Sequence, residues 1–572
     1  MNRYAATLLL LVPFVLHAQI FVNQAIFPPD VPKIAVVAGH TDDGVFDVVD
    51  AAGHNVFRGK LGPAQSVNDW APNKKFYQAD FSTIHKPGSY RLTVDAGDTL
   101  ISSAFFTIGN TDWARPLISS ILHYYNQQRA NTPTELEADK HLLLFGSDKR
   151  VDLHGGWCDA SGDVSKYFSH LAYANFMSPQ QIPLVTWSLI NTGETLQKQL
   201  HQWGLADSLT SEALWGADYI TRSLSPEGYF YMTIFTYFKK DPAARRVVGL
   251  RANSVTTDEY QCAFREGGGM AIAALARISR WHKNGDYTAQ QYLDAARRAY
   301  AHLVVNNTKY DDDGKENIID DYCALMAATE LWIATDSSYY RDQARFRAGK
   351  LNARMTPAGY FISDDGRRPF WHAADAGLPV VALIRYLDKE KEAGYRNAAI
   401  QTIRQALAYN LRVTNEVDNP FGYARQSFLY KGEVKDGFFI PHENETGWWW
   451  QGENARLGSL ATAALLGDRL LKNDSMELYA ARQYSWILGC NPYSMCFMYG
   501  WGQQNVPYMH SNYGHGSQRG GISNGITGGK DHGDGSGIDF RTEDNGNEWR
   551  WTEQWLPHAA WFLAAVTAMS RE

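Results

Sequence analysis

Cysteine is scarce. The 572 residues hold five: Cys158, Cys262, Cys323, Cys490 and Cys496. They form no C-x-x-C pair and are odd in number, which excludes a disulfide framework and gives no metal-ligand spacing. Cys490 and Cys496 lie close enough in the chain to pair, but burial as small apolar side chains is the reading adopted. Long apolar runs are also missing beyond the first residues. There, MNRYAATLLLLVPFVLHAQ combines one basic residue (Arg3), an apolar run from Ala5 to Leu16 and the small residue Ala18. That is the layout of a secretory signal peptide over residues 1–18, predicting export to the periplasm or the extracellular space. The run is too short to span a bilayer, so no membrane insertion is expected. No cysteine follows it to carry a lipid. Neither sign of charge dominates, with 54 Lys and Arg against 61 Asp and Glu and a net charge of -7. This argues against nucleic-acid or anionic-membrane partners.

Aromatic side chains, in contrast, are abundant: 18 Trp, 31 Tyr and 26 Phe. Rings with an apolar face and a polar edge suit sugars, and they also suit the rim of a large helical core. The length itself points to two domains of unequal size. Residues 20–109 alternate short β-like runs (KIAVVAG, VFDVVDAAG, SYRLTVDAG, SAFFTIG) with Gly-marked turns, the pattern of an immunoglobulin-like β-sandwich. From residue 112 to 572 the period becomes helical. In NIIDDYCALMAATELWIA, the positions Ile318, Tyr322, Leu325, Thr329 and Trp332 share one face. Residues 270–281 and 454–471 behave alike. Further helices are predicted near 113–129, 183–200, 208–223, 287–305, 338–352, 375–390, 393–410, 476–488 and 553–570, with little strand signal among them. A dozen helices in inner and outer rings would make an (α/α)6 barrel. Residues 491–550 are rich in Gly, Asn, His and Asp, and are expected to form a long functional loop.

One short stretch carries the chemical signal. HGGWCDASGD (154–163) sets Asp159 and Asp163 around Ala-Ser-Gly, a tight turn able to aim two carboxylates into one volume. An Asx turn capping the next helix is the structural alternative. Glycoside hydrolysis needs one carboxylic acid to protonate the leaving oxygen and one carboxylate to activate water or attack carbon. The two aspartates suit a shared water, and the acid must then come from elsewhere. Glu443, Glu445, Glu453, Glu543, Glu548 and Glu553 are candidates. Glu553, in WRWTEQWLPHAAWF, sits among tryptophans where a raised pKa would keep it protonated. A helix first-turn acid is its bland alternative.

HGGWCDASGDVSKY resembles the GGW-x-DAGD-x-x-KY signature of glycoside hydrolase family 9. IFVNQAIFPPDVPKIAVV and QADFSTIHKPGSYRLTV are similar to phrases of that family's N-terminal immunoglobulin-like domain. AATELWIAT, WILGCNPYSMCFMYGWG, NGITGG and TEQWLPHAAW extend the resemblance over nearly the whole mature chain. It implies Asp163 as general base, Asp159 as its partner on the water and Glu553 as general acid. It also implies inversion at the anomeric carbon, with no metal or organic cofactor. The turn departs from the family by one extra residue. The family's His-His-Arg is spread over His510, His515 and Arg519, which are retained as substrate-binding candidates. The longer turn and HENETGWWWQGENARLGSLA (442–461) resemble the exo-acting, glucosaminidase-like branch.

Trp448, Trp449 and Trp450, placed at a helix entrance, cannot share one face. Trp449 and Trp450 are taken as candidate sugar contacts. KYDDDGKENIIDD lacks a calcium loop's first ligand and its terminal Glu, so it reads as a solvated acidic turn capping a helix. FREGGGMA lacks the strand and the Gly-Lys-Ser/Thr of a phosphate loop. The expectation is an exported inverting glycosidase acting on β-linked gluco-configured oligo- or polysaccharides, leaning to exo action. An endo-β-1,4-glucanase is the alternative within that chemistry. A non-catalytic carbohydrate-binding protein and a polysaccharide lyase are the alternatives outside it; the placed carboxylates and the negative charge argue against the lyase.

Overall fold

The computed structural model describes residues 19–39, 44–97, 99–169, 177–239, 241–251, 254–444, 447–511 and 514–571. The expected signal peptide lies outside them. The chain opens with nine strands: β1 (Gln19–Phe21), β2 (Ile26–Phe27), β3 (Ile34–Ala38), β4 (Val45–Asp50), β5 (Asn55–Lys60), β6 (Phe76–Asp80), β7 (Gly88–Asp95), β8 (Leu100–Ser102) and β9 (Phe106–Ile108). They form two sheets, ordered β1-β3-β6 and β2-β9-β7-β4-β5, with β8 on β7. The four runs predicted from alternation coincide with β3, β4, β7 and β9. Every residue of β3 is buried, and the reason is its position between two cores. Ala35 and Val37 face the sandwich interior with Phe27, Val48 and Leu92. Val36 and Ala38 join the core of the helical part with Phe21 and Phe76. A strand covered on both faces reads as a continuous apolar run.

The helical part is built from twelve principal helices: α1 (Arg115–Gln128), α2 (Ile182–Thr195), α3 (Ala206–Arg222), α4 (Gly269–Ile278), α5 (Ala289–Tyr310), α6 (Ile318–Thr335), α7 (Ser338–Ala353), α8 (Leu378–Lys389), α9 (Ala393–Asn415), α10 (Asn454–Leu471), α11 (Ser475–Ile487) and α12 (Leu556–Ser570). The even-numbered helices pack in a closed ring, α2 on α4, α4 on α6, α6 on α8, α8 on α10, α10 on α12 and α12 back on α2. The odd-numbered helices lie outside them. This is an (α/α)6 barrel following an immunoglobulin-like sandwich. Inner helices are apolar nearly all round, as buried helices must be: every residue from Ile318 to Trp332 in α6 is buried. Gly269 lets α4 approach α6, since a Cβ there would stand 2.7 Å from Cys323 backbone carbon. Starts are fixed by capping boxes, Thr288 with Gln291 before α5 and Asn317 with Asp320 before α6.

Three expectations need correction. The helical part contains a mixed sheet of β10 (Leu142–Leu144), β11 (Arg150–Val151), β12 (Lys166–Tyr167), β13 (Thr233–Phe235), β14 (Arg246–Arg251) and β15 (Val255–Thr257), ordered β11-β10-β14-β13-β12 with β15 on β14. Most of these strands are two or three residues long, too short to show a period in sequence. The acidic turn after α5 leads into the cap of α6 as expected, but it is solvated only at its tip, residues 313–315. Arg265, 1% exposed at its side chain, draws in Asp311 at 3.2 Å, Asp313 at 3.1 Å and Asp320 at 3.6 Å, together with Asp312. Trp449 and Trp450 do not enter a helix; they precede α10 by several residues, after the short strand Gly447–Trp448. The side chain of Trp448 lies outside the described residues. All five cysteines are buried and unpaired. Among the described residues no helix is long and apolar enough to cross a membrane.

Candidate active site

The segments that precede inner helices carry the site. Gln181 lies just before α2, Trp449 and Gln451 before α10, and Glu553 and Trp555 before α12. HGGWCDASGD turns back on itself between them. Ala160 and Asp163 exchange two backbone hydrogen bonds of 3.2 Å around Ser161-Gly162. Gly162 has φ +110°, a conformation that side chains rarely adopt, so this corner requires glycine. The turn is docked edge-on against the segment after Glu553. Ser161 N–H donates to the Gln554 carbonyl at 2.9 Å, Gln554 N–H donates to the Ser161 hydroxyl at 2.9 Å, and Leu556 N–H donates to the Asp159 carbonyl at 3.2 Å. The longer turn thus gains a residue, Ser161, that holds the aspartates in register with Glu553.

Asp159, Asp163 and Glu553 line one cavity of about 380 Å³, together with Tyr167, Phe238, Leu250, Trp449, Met509, Trp549 and Trp555. Phe238 stands at this wall with φ +51°, a strained conformation for a bulky residue and one that clusters at functional sites. The three acids are set apart by their partners. Asp163 accepts from Ser165 N–H at 2.8 Å, an Asx turn leading into β12 rather than into a helix, and from the Tyr167 hydroxyl at 3.0 Å. Asp159 accepts from the Trp555 indole at 3.1 Å and from the Gln181 amide. Glu553 follows the short helix Trp549–Thr552 in extended backbone, not in a helical first turn. Its neighbour is Asn524, whose N–H donates to the Glu553 carbonyl at 2.8 Å and whose side chain donates to the Trp549 carbonyl at 2.7 Å and lies 2.7 Å from His558 Nε2.

Burial pushes all three acids above the ordinary carboxylate range. For Glu553 and Asp159 the rise is large, because the charge of Asp163 adds to desolvation. For Asp163 burial is opposed by the bonds from Ser165 and Tyr167 and by the Arg245 charge. Beneath the turn, Asp139 is shared by Lys166 at 2.8 Å and Arg245 at 2.6 Å. One carboxylate for two buried cations leaves a positive surplus beside Asp163. Asp163 is therefore the acid best prepared to ionise, while Glu553 is held protonated.

The remaining predicted contacts do not gather here. Trp450 is packed edge-on against Trp551 at 5.0 Å, with the Arg550 guanidinium 4.9 Å over its ring. The exposed His510 leans on Tyr508 at 4.7 Å. Arg519 lies over Trp501 at 5.6 Å. His515 borders a separate cavity and bonds Glu135 at 2.7 Å. Trp449 alone of the five lines the acid cavity. Of the other acid candidates, Glu443 is exposed, Glu453 is buried on Arg456 at 2.6 Å, and Glu548 bonds Gly546 N–H at 2.8 Å; Glu445 lies outside the described residues. Sequence reasoning passed over Tyr167, although it stands in the quoted KY, and Gln181, which carries no local signal. Among the described residues, Glu135, Cys158 and His515 are the group with metal-ligand geometry.

Residues 115–552 match the family model "Glycosyl hydrolase family 9" and residues 16–99 match "Cellulase N-terminal ig-like domain". The chain belongs to glycosyl hydrolase family 9. It is an O-glycoside hydrolase. Endoglucanase 4 of Arabidopsis thaliana is 22% identical over 419 residues, covering 71% of this chain and 79% of the plant protein. A cellodextrinase of Butyrivibrio fibrisolvens is 26% identical over 159 residues, covering 26% of this chain and 27% of its own. A metagenome-derived family 9 endoglucanase of known crystal structure superposes with a TM-score of 0.70 at 19% identity, covering 97% of this chain and 99% of that one. At that identity the likeness speaks for the fold.

Proposed function

We propose that this family 9 hydrolase cleaves β-linked gluco-configured glycans with inversion, through Asp163, Asp159 and Glu553. The observation that carries the reading is the convergence of these three acids, and of no other carboxylate among the described residues, on one aromatic-walled cavity. Glu553, protonated by burial, gives its proton to the leaving glycosidic oxygen. Asp163, as carboxylate, takes a proton from the attacking water, which Asp159 orients. The C–O bond to the aglycone breaks as the bond from water to the anomeric carbon forms. No covalent sugar–enzyme intermediate arises, so the anomer inverts. Each turnover leaves Asp163 protonated and Glu553 ionised, and solvent restores both.

We place the cleavage at chain ends. The longer acid turn supports this, as does the wall that Leu250 and Ser254, at the β14–β15 hairpin, contribute with Phe238 to the cavity. The rival is internal cleavage of β-1,4-glucan; several relatives carry the name endoglucanase. The N-terminal layout supports export of the mature chain. Purified protein would be given cello-oligosaccharides and deacetylated chitosan oligosaccharides in parallel, with early NMR of the new anomer. Monosaccharide of inverted configuration from one series is the expected result and names the sugar. Mixed shorter oligomers would replace exo by endo action. A retained anomer would overturn the role given to Asp163.

A further inference from the structure

Asp159 is held by one of its oxygens only. The Trp555 indole donates to Oδ1 at 3.1 Å, and the Gln181 amide donates to the same atom. Among the described residues no donor reaches Oδ2, which is left to the acid cavity that Asp159 lines. Asp163 is held differently, with Ser165 N–H on Oδ1 and the Tyr167 hydroxyl on Oδ2. The two aspartates of one turn therefore offer the cavity different things.

An indole N–H can only donate, so Asp159 Oδ1 must accept whatever the protonation of the carboxyl. The Gln181 amide then has to turn its NH2 to that oxygen, and its own Oε1 stays buried without a hydrogen bond. A buried acceptor left unsatisfied lowers stability and calls for a reason other than packing. The amide is also aimed with care. Gln181 is fully buried at the entrance of α2; Val185 N–H donates to its carbonyl at 2.9 Å, and its own N–H donates to the Phe168 carbonyl at 3.1 Å. The residue before it reaches two more inner helices. Gln180 N–H donates at 2.9 Å to Asp375, just before α8, and Asp375 accepts the Trp561 indole of α12 at 2.8 Å. The Gln180 side chain donates to the carbonyls of Ser178 at 2.9 Å and Arg265 at 2.6 Å. A donor seated on three helices of the ring is rigid enough to set a carboxyl's orientation.

We propose that Gln181 is a positioning residue of the hydrolysis: with Trp555 it clamps Asp159 Oδ1, so that Oδ2 alone is presented to the attacking water. This rests on the reading of Asp159 as the acid that orients that water. Gln181 does not itself line the cavity. Its work is to stop the carboxyl from turning about its Cβ–Cγ bond. Without the amide, Asp159 hangs from the indole alone and the water loses its fixed approach to the anomeric carbon. The loss should fall on the chemical step and spare sugar binding.

The test uses the full mature chain and initial rates on cello-oligosaccharides and chitosan oligosaccharides. Q181M, similar in size and shape, removes the donor and the unsatisfied oxygen together, so it should melt no lower than the parent. It should nonetheless lower kcat by about 10–100-fold, the worth of a hydrogen bond to a charged group, with KM little changed. Q181L is the second apolar replacement, should Q181M not fold. Q181E carries a donor when protonated, so it should outpace Q181M at the acid end of the pH range. A folded apolar variant with the parent's kcat would overturn the proposal, and so would a Q181E no faster than Q181M at that end. D159N tells the two readings apart. If D159N loses turnover and the apolar variants do not, only the positioning role falls; if neither loses it, the role of Asp159 falls as well.

Discussion

Glu330, fully buried, and Glu553, half-buried at the acid cavity, are glutamates of the same barrel whose carboxyl pKa values move in opposite directions. Glu330, toward the C-terminal end of inner helix α6, is gripped by Arg385 through two bonds of 2.8 and 2.9 Å, with Arg277 at 3.6 Å and the Trp187 indole at 3.3 Å. Those guanidinium charges outweigh burial and hold its pKa below the ordinary value. Glu553, just before inner helix α12, has Asn524 for a partner and Asp163 for a neighbouring charge, so burial wins and its pKa rises well above that value. Burial alone therefore does not mark a functional acid. A buried carboxylate left without a cation, at a cavity, does.

The largest effects should separate the two glutamates by kind of loss. E553Q should lower kcat/KM on an unactivated glycoside by about 10²–10⁴-fold, and D163N by a similar factor, with the fold intact. Glycosides with a good leaving group should lose much less in E553Q, because their oxygen departs without a proton, but just as much in D163N. E330Q should do the reverse. It removes the buried carboxylate shared by Arg385 and Arg277, leaving them the more exposed Asp388 and Glu194, which should cost up to about 3–5 kcal/mol in urea unfolding, while the folded fraction keeps its turnover. If E553Q unfolded the chain, or E330Q stopped chemistry in folded protein, the contrast would fail.

The same contrast has a pH signature. Glu330 has its folded pKa below its unfolded one, so its stabilisation is present above about pH 4.5 and is lost as pH falls through the folded value. Glu553 has its folded pKa above the unfolded one. Its contribution is complete below about pH 4.5 and is lost as pH rises through the folded value. Tm measured against pH should accordingly show E553Q gaining on the parent as pH rises, and E330Q approaching the parent as pH falls. Parallel curves would mean that neither glutamate titrates on its own.

A smaller effect is expected at the cavity wall. W449A removes the one predicted aromatic contact that faces the acids, and loss of a stacked ring is worth about 0.5–1.5 kcal/mol, roughly two- to ten-fold in KM. W450A should instead lower stability, since Trp450 fills the space between Trp551 and Arg550. Initial rates should therefore single out W449A and thermal melts W450A. The opposite pattern would mean that Trp450 meets the sugar and Trp449 belongs to the core.

What the sequence made legible follows from which forces are local. Helical period located the inner helices because each must be apolar enough to be buried, as α6 is over most of its length. The DASGD turn was legible because Ser and Gly specify a corner, and Gly162 occupies the position that demands one. Glu553 was legible through its tryptophan neighbours, two of which, Trp549 and Trp555, line the cavity. Gln181 reaches Asp159 across 22 positions of chain, and no local pattern announces a contact of that kind. Strand β14 was hidden for a different reason. RVVGLR is β-like by composition, but its partners β10 and β13 are three residues each and leave no period to match.

The finest adjustment concerns Asp163 and Tyr167. The tyrosine hydroxyl donates to Asp163 Oδ2 at 3.0 Å and favours the carboxylate, one of the few influences that oppose burial there. Y167F removes the donor and nothing else of the ring. A hydrogen bond to a charged group is worth about 1.5 kcal/mol or more in such settings, so the Asp163 pKa should climb by roughly one unit. A base must be ionised to act, so the acid limb of the kcat/KM profile should move to higher pH by about that amount. The alkaline limb, set by Glu553 losing its proton, should stay where it is. Movement of the alkaline limb instead would exchange the roles of Asp163 and Glu553, because Asp163 is already ionised in both proteins at the pH where Glu553 loses its proton, so its charge acts on Glu553 equally in the two.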